Sequence, residues 1–317
     1  MLSFTEVPQH EARQHAHWLT DAVWGSPGGL RYRHRHIEWN DRYRVMMAWL
    51  DDEPVGMHLW LPFPWGFLRH LLVVRPDRQG RGIGSALARA SWAHFGPALR
   101  ADQFAAAIVD ATHDASMRLG ESVGYDVLGS FDLYPLTHAR PVGCPVVRRA
   151  TVSELECVVL PALARYRYRW NDADLRATEH NSWVYVVDGT AVAGATSADH
   201  NLTVLGLGLG RADSLAFALL PWFVSGATAS SYPMVTFHYC WGDPRCLGAV
   251  WETVLADRGH GSGAVALDLR DPLTVGVRRH ARRGLFGRLA GTSRWHVTGR
   301  PSSSAPSDPF LWPVENR

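Results

Sequence analysis

The feature that most constrains this chain is a glycine-rich loop between an apolar run and a helix-forming segment. Residues 71–74 read Leu-Leu-Val-Val, glycines follow at positions 80, 82 and 84, and an Ala-rich stretch begins after Ser85. Glycines let the backbone turn sharply with its N–H groups on one side, and the start of a helix adds a partial positive charge. The segment therefore predicts a strand, a loop that binds a phosphate group, and a helix.

Two common phosphate-binding loops do not fit this spacing. A dinucleotide-binding G-x-G-x-x-G/A loop would place Gly or Ala at position 85 or 87, where the chain has Ser85 and Leu87. The Gly-Lys-Ser/Thr of a P-loop is absent. The order Gln-Gly-Arg-Gly-Ile-Gly over residues 79–84 instead resembles the Q/R-x-x-G-x-G/A loop of the GCN5-related N-acetyltransferases, the GNAT family. The preceding strand, Pro76 and the following helix match that family as well.

This resemblance implies an acyltransferase that uses acetyl-CoA or another acyl-CoA and acts on a small-molecule amine. In the family the pantetheine arm lies along the strand before the loop, which corresponds to Val74 here. The family's diphosphate contacts correspond to Gln79, Gly80, Arg81, Gly82, Ile83, Gly84 and Ser85.

The resemblance also indicates candidate catalytic residues. The family's general base is commonly a Glu on the same strand, and that position is His70 here, which can take a proton near neutral pH. The alternative is that His70 only packs beside Arg69. His113 stands where the family often has an Asn near the pantetheine, and it is a second candidate for contact or proton transfer.

The family's Tyr that protonates the departing thiolate is missing. The family pattern Leu-Tyr-Glu-x-x-Gly-Phe reads Leu-Gly-Glu-Ser-Val-Gly-Tyr over residues 119–125, so Gly120 replaces the Tyr. Either water, Ser116 or Ser122 acts as the acid, or the thiolate leaves unassisted, or Gly120 makes room for a bulkier acyl donor.

The order of predicted elements occurs twice along the chain, which at 317 residues is long enough for two domains. In the first half the hydrophobic pattern predicts helices at 11–24, 85–95 and 114–123 and strands at 44–50, 55–61, 68–74, 104–109 and 125–133. In the second half it predicts helices at 152–165, 214–224 and 244–257 and strands at 183–187, 191–197, 202–209 and 234–239.

We therefore expect an α/β (α+β) protein with two tandem GNAT-like domains, each a mixed, mostly antiparallel sheet flanked by helices. The expected divisions are 1–138 with the acyl-CoA loop, 146–277 as a degenerate copy, and 278–317 as an Arg-rich segment and flexible tail. In the second copy we expect residues 205–211, Leu-Gly-Leu-Gly-Leu-Gly-Arg, at the loop position. They lack the Gln/Arg start and the basic residue between glycines, so no CoA is expected there.

Composition narrows the other possibilities. The formal net charge is +2, all 32 basic residues are Arg, and the N-terminus has no apolar signal segment, so a cytoplasmic protein without membrane contact is expected. The four cysteines lack zinc-site spacing, and the 16 histidines form no convincing ligand set, so no metal is expected. The sequence leaves the oligomeric state open.

Two alternative functions remain at this point. Arginines alternate with aromatic residues and histidines in two segments, and such patterns suit RNA. This favours a GNAT-fold enzyme that takes its acyl group from aminoacyl-tRNA, although an acidic acceptor pocket or solvated strands would explain the pattern too. The second alternative is a non-catalytic CoA-binding protein, which the loss of the Tyr favours. The arginines concerned are Arg31, Arg33, Arg35, Arg165, Arg167 and Arg169.

Overall fold

The computed structural model describes residues 1–15, 17–18, 31–34, 42–166, 179–205, 231–280 and 292–301, together with isolated positions between 218 and 228 and at 284 and 308. Within these residues thirteen strands form one continuous mixed sheet. The strands are β1 (Leu2–Val7), β2 (Arg31–His34), β3 (Arg44–Leu50), β4 (Glu53–Phe63), β5 (Gly66–Val74), β6 (Phe104–Asp110), β7 (Asp126–Thr137), β8 (Val147–Arg149), β9 (Ser182–Val187), β10 (Thr190–Leu205), β11 (Ser231–Gly242), β12 (Ser262–Asp268) and β13 (Ser293–Pro301).

The helices lie between these strands. They are α1 (Gln9–Arg13), α2 (Ile83–Phe95), α3 (Asp114–Ser122), α4 (Val152–Glu154), α5 (Leu160–Leu163), α6 (Pro244–Arg258) and α7 (Pro272–His280), with a π-helical turn (Leu155–Val159) joining α4 to α5. Of the helix predicted at 11–24, residues 11–13 and 17–18 are helical in the part of the chain that is described. No helix among the described residues is long and apolar enough to cross a membrane.

The sheet contains the same unit twice. Its order is β1-β3-β4-β5-β6-β13-β7-β12-β11-β10-β9-β8, with β2 paired to β10. The pairs are antiparallel except for β5 with β6 and β11 with β12. Each of these parallel pairs is joined through a helix, α2 in the first half and α6 in the second. The fold is therefore two tandem GNAT-like units, each with a mixed, mostly antiparallel sheet flanked by helices.

The topology corrects one correspondence between the halves. In the second unit, the segment that corresponds to β5-α2-β6 is β11-α6-β12. The loop that corresponds to residues 79–84 therefore lies at Gly242 and Asp243. The prediction had placed it at 205–211, where Leu205 ends β10 and the remaining residues lie outside the described residues. The helix predicted at 214–224 also falls largely outside them.

The C-terminal strand belongs to the sheet of the first unit. Strand β13 lies between β6 and β7 and pairs with both. It falls within the 278–317 segment, which the sequence predicts as an Arg-rich segment and flexible tail, so residues 293–301 of that segment form a strand. The domain boundaries themselves stay a prediction, because β7 also pairs with β12 of the second unit.

A buried carboxylate on β7 fastens this arrangement. Asp132 is 2% exposed and accepts hydrogen bonds from Arg278 at the end of α7 and from Arg294 on β13, the latter at 3.1 Å. A buried charge needs such partners because its desolvation is costly. Arg278 and Arg294 of the C-terminal segment therefore both pair with Asp132, a carboxylate on a strand of the first unit.

Helices α2 and α6 cover their sheets with apolar side chains. Ile83, Leu87 and Phe95 of α2 pack with Trp60 and Val74 of the sheet. In the second unit, Leu247, Trp251 and Leu255 of α6 pack against β11 and β12. Burying such side chains contributes about 1.5–3 kcal/mol each. The packing therefore fixes the N-terminus of α2 against the end of β5, where the candidate site lies.

Candidate functional site

The candidate site begins where strands β5 and β6 part. Their parallel pairing is confined to Gly66–Leu68 against Phe104–Ala106. Beyond Leu68 the two strands diverge, whereas β6 stays paired with β13 along its whole length. The result is an opening in the sheet with one edge of β5 exposed to it.

The backbone of β5 offers hydrogen-bonding groups to this opening. The Arg75 N–H donates to the Val55 carbonyl at 2.9 Å, and bonded positions alternate along an antiparallel pair. The peptide groups of Leu72 and Val74 therefore face away from β4 and toward the opening. The Val74 carbonyl accordingly accepts a hydrogen bond from Gln79 Nε2 at 2.9 Å. Val74 is thus placed where an extended ligand could pair with the strand, and Gln79 ties the loop to the strand end.

The loop itself leaves room for a ligand. Gly80 and Gly82 have φ of 74° and 75°, and a Cβ added to either would meet nothing within 4 Å. Positive φ is strained for other residues, which explains the glycines. Ile83 anchors the loop with a buried side chain, and a Cβ on Gly84 would lie 3.6 Å from the Leu72 and Val74 side chains. These residues form a compact cradle, defined as residues 79–85.

The first turn of α2 closes the cradle with donor groups. Gly82 is the N-cap, no side chain caps the helix, and its first turn holds no acidic residue. The first helical hydrogen bond runs from Ala86 to the Gly82 carbonyl at 3.0 Å, so the preceding N–H groups of Ile83, Gly84 and Ser85 have no partner in the helix. Free N–H groups and the helix dipole together favour an anion here.

Most cations near the cradle are already neutralised. Arg75 binds Asp77 at 2.7 Å and Glu53 at 2.5 Å, and Arg78 binds Glu53 at 3.2 Å. The hydrogen bond from Arg75 lowers the pKa of Asp77 to about 2 and lowers that of Glu53 as well. Arg81 is exposed and has no ion pair among the described residues. It is the cation that a bound phosphate could recruit.

His70 lies at a bulge in β5. The register with β4 shifts between His58 and Trp60, so His70 and Leu71 together oppose Leu59. Its Nδ1 is 2.8 Å from the Tyr43 hydroxyl, and the two rings stack with centroids 5.6 Å apart. The bulge thus turns the predicted base to the face of β5 that carries Leu71, and Tyr43, which sequence reasoning missed, fixes the ring.

An open depression lies next to this pair. It measures about 710 Å³ and is lined by α1, the end of β1 and residues 43–44, with Tyr43 and Gln9 among the lining residues. The Tyr43 side chain therefore links the depression to His70.

His113 has a different position. It is the N-cap of α3, and its Nδ1 accepts a hydrogen bond from the Ser116 N–H at 3.1 Å. This bond requires an unprotonated Nδ1, so only Nε2 is left for proton transfer. The structure gives His113 a capping role and leaves its predicted chemical role a prediction.

The comparison with known proteins follows this geometry. Residues 11–125 match the model of the acetyltransferase (GNAT) family, so the chain carries a domain of this family over those residues. No functionally curated protein matches the sequence significantly.

Solved structures extend the likeness to the whole chain. A tandem GNAT protein from the clavulanic acid biosynthesis pathway is 12% identical with a TM-score of 0.52, covering 97% of this chain and 100% of its own. An acetyltransferase-like protein of Pyrococcus horikoshii is 9% identical with a TM-score of 0.54, covering 100% of this chain and 95% of its own. At such identities the likeness concerns the fold, and it confirms the tandem arrangement.

The two arginine segments are only partly described. Arg31 and Arg33 lie on β2, which pairs with β10 and so joins the two halves of the chain. Arg165 lies 3.8 Å from the buried Asp271 and hydrogen-bonds to Tyr166. Arg35, Arg167 and Arg169 lie outside the described residues. The RNA-binding role of these arginines stays a prediction.

Proposed function

We propose that the protein transfers an acyl group from acetyl-CoA or a related acyl-CoA to the amine of a small molecule. The observation that carries this proposal is the uncapped N-terminus of α2 placed directly against the open edge of β5. The cradle suits the diphosphate of CoA, and the Val74 peptide suits its pantetheine arm. When bound, acyl-CoA supplies the thioester carbonyl and a thiolate leaving group.

Within this proposal His70 takes the proton of the acceptor ammonium. A neutral imidazole has one donor and one acceptor nitrogen. His70 can therefore act as a base through Nε2 when Nδ1 carries the proton and donates it to the Tyr43 hydroxyl. Tyr43 holds the ring in place, and the remaining catalysis is the positioning of the amine against the thioester.

Calorimetry with CoA and acetyl-CoA tests the binding part. We expect one site per chain, because the second unit lacks an open cradle. Two equivalent sites, or no binding at all, would contradict the proposal.

Turnover tests the chemical part, measured as thiol release from acetyl-CoA with a panel of small primary amines. His70→Ala should lower turnover about 100-fold, the usual contribution of a general base, while CoA affinity stays near that of the wild type. The control is His94→Ala. His94 is an exposed histidine at the C-terminal end of α2, far from the cradle, and it pairs with Glu6 at 2.6 Å. Equal turnover of the two variants would return His70 to a packing role.

Ribonuclease treatment separates this proposal from the aminoacyl-tRNA alternative. A CoA-dependent enzyme keeps its activity under ribonuclease and loses little with added salt. Activity that requires RNA and falls steeply with salt would instead support a tRNA donor.

A further inference from the structure

The strongest unexplained feature outside the cradle is a buried cation stacked on a buried phenol. The Arg69 guanidinium carbon lies 3.6 Å from the centroid of the Tyr125 ring. Arg69 is 8% exposed and Tyr125 is 4% exposed. Sequence reasoning named Arg69 only as a neighbour of His70 and gave Tyr125 no role.

Each of the two side chains has a buried polar atom that is unsatisfied. The Tyr125 hydroxyl and the Arg69 Nε are buried and have no hydrogen-bond partner among the described residues. Arg69 has no ion pair there either; burial lowers its pKa, and Tyr125 is the only group that counters this shift. An unpaired buried hydroxyl costs about 1–3 kcal/mol, and a buried cation without an anion costs more. Such costs are typical of sites whose partner is a ligand or a transient charge.

The pair lies at the opening between β5 and β6. Arg69 is the first residue of β5 beyond the stretch that pairs with β6. Tyr125 packs with Ala88 and Val123 and against Leu72, the residue whose peptide faces the opening. Both side chains are therefore on the helix-covered side of the opening through which a pantetheine arm would run.

Gly120 packs directly against Tyr125. A Cβ added to Gly120 would lie 3.8 Å from the Cβ and 4.0 Å from the Cδ2 of Tyr125. A larger residue at position 120 would therefore extend over the Tyr125 side chain. With glycine there, Tyr125 places a buried hydroxyl-bearing side chain directly beside the position at which the family has its Tyr.

We propose that Tyr125 is the proton donor to the departing thiolate and that Arg69 is its positioning residue. This inference rests on the acyl-CoA function proposed above. The amine nitrogen forms its bond to the thioester carbonyl carbon, the carbon–sulfur bond breaks, and its electron pair stays on sulfur. Tyr125 gives its hydroxyl proton to that sulfur. The amine loses two protons in all: His70 takes that of the ammonium, and the second, released as the amide forms, restores the Tyr125 hydroxyl. The Arg69 cation stabilises the phenolate in the interval.

The electrostatics agree with a donor that is protonated at rest. Burial raises the pKa of Tyr125, while the positive charges of Arg69 and Arg300 counter this shift. The hydroxyl therefore keeps its proton near neutral pH. Arg remains charged in proteins even when it is buried, so the cation is present when the negative charge forms.

The test compares the binding of CoA with that of desulfo-CoA by calorimetry, which needs no acceptor. In the wild type we expect CoA to bind roughly fivefold more tightly than desulfo-CoA, the effect of one hydrogen bond to sulfur. Tyr125→Phe should remove this difference while desulfo-CoA affinity stays unchanged. Tyr185→Phe on β9 is the control and should keep the difference.

A second measurement follows the ultraviolet absorbance of the thiolate of bound CoA as the pH is raised. The Arg69 cation should lower the pKa of the bound thiol below that of free CoA, and Arg69→Met should move it back.

A folding control accompanies both measurements. Tyr125→Phe should fold as well as the wild type, because it removes a hydroxyl that has no partner. Its melting temperature shows whether a loss of binding reflects unfolding.

The outcomes separate this inference from the proposed function. If CoA binds but Tyr125→Phe keeps the preference for CoA over desulfo-CoA, or if the wild type shows no preference, the role of Tyr125 is refuted and the acyl-CoA function stands. If neither CoA nor acetyl-CoA binds the wild type, both are refuted.

Discussion

The N-termini of α2 and α6 occupy the same place in the two units and differ in what fills them. At α2 the N-cap is Gly82, the first turn has no acidic residue, and the N–H groups are open. At α6 the Asp243 side chain caps the helix by accepting the Arg245 N–H at 2.9 Å. The N-terminus of α2 is therefore open to an external anion, whereas the N-terminus of α6 is occupied by the Asp243 carboxylate.

Two further differences close the second terminus. Pro244 removes one N–H group from the first turn of α6. A Cβ on Gly242 would lie 2.1 Å from the Val192 carbonyl, so the backbone is pressed against β10. The two units differ at the features that suit a strand–helix junction to a phosphate group, which are an uncapped helix and a loop that stands clear of the sheet.

The largest expected effect comes from filling the open cradle. Gly82→Val should lower CoA affinity at least about 100-fold, because a branched side chain covers N–H groups whose charge-assisted bonds contribute about 1.5–3 kcal/mol each. The control is Gly189→Val in the β9–β10 turn. Gly189 has φ of 78° with nothing within 4 Å of an added Cβ, so it carries the same backbone strain. Calorimetry and thermal unfolding measure both variants, and equal CoA affinity of the two would refute the cradle.

A smaller effect is expected from placing a negative charge near the N-terminus of α2, where α6 has the Asp243 carboxylate at its N-cap. Ser85→Asp places a carboxylate in the first turn of α2 and should weaken CoA binding about tenfold by repulsion of the diphosphate. Ser85→Asn is the uncharged control. If the Asp variant binds CoA as tightly as the Asn variant, then charge at the helix N-terminus does not distinguish the two units.

Arg81 should contribute less than either. It is exposed, and exposed ion pairs contribute about 0.2–1 kcal/mol, so Arg81→Ala should weaken CoA binding about two- to fivefold. The salt dependence of binding should become shallower as well. Arg89→Ala, an exposed arginine further along α2, provides the comparison. A loss as large as that of Gly82→Val would mean that the side chain, rather than the backbone, holds the phosphates.

The same two regions show what the sequence could and could not reveal. The cradle was predictable because its glycines, strand and helix are adjacent in the sequence. Elsewhere in the first unit, the strand predicted at 44–50 is the observed β3. The second loop was misplaced because the repeated Leu-Gly pairs at 205–210 imitate a phosphate loop. The Asp243-Pro244 pair is itself a helix-start signal that could have corrected this.

Strand β13 and the Arg69–Tyr125 pair had weaker signals. Residues 293–301 contain Gly and Pro, which disfavour a strand, and the segment is held by pairing on both sides with distant strands. Arg69 and Tyr125 are far apart in sequence and meet only through the packing of β5 against the end of α3. The exchange of Tyr for Gly at position 120 was visible in the sequence, but the contact of Gly120 with Tyr125 was not.

The smallest expected effect concerns the N-terminus of α6. A change there should lower the stability of the protein without creating a CoA-binding site. Asp243→Ala removes the cap of α6 and should cost about 1 kcal/mol of unfolding free energy. It should not produce a second CoA site, since Pro244 and the close approach of Gly242 to β10 remain.

The stability difference should also depend on pH. Hydrogen bonds from Arg245 lower the pKa of Asp243 to about 2. A carboxylate with a lowered pKa stabilises the fold above its unfolded-state value, and this contribution is lost as the pH falls through the folded-state value. The difference in stability between wild type and variant should therefore be full at neutral pH and shrink between about pH 4 and pH 2. A difference that stays constant over that range would show that the lost stability does not come from the Asp243 charge.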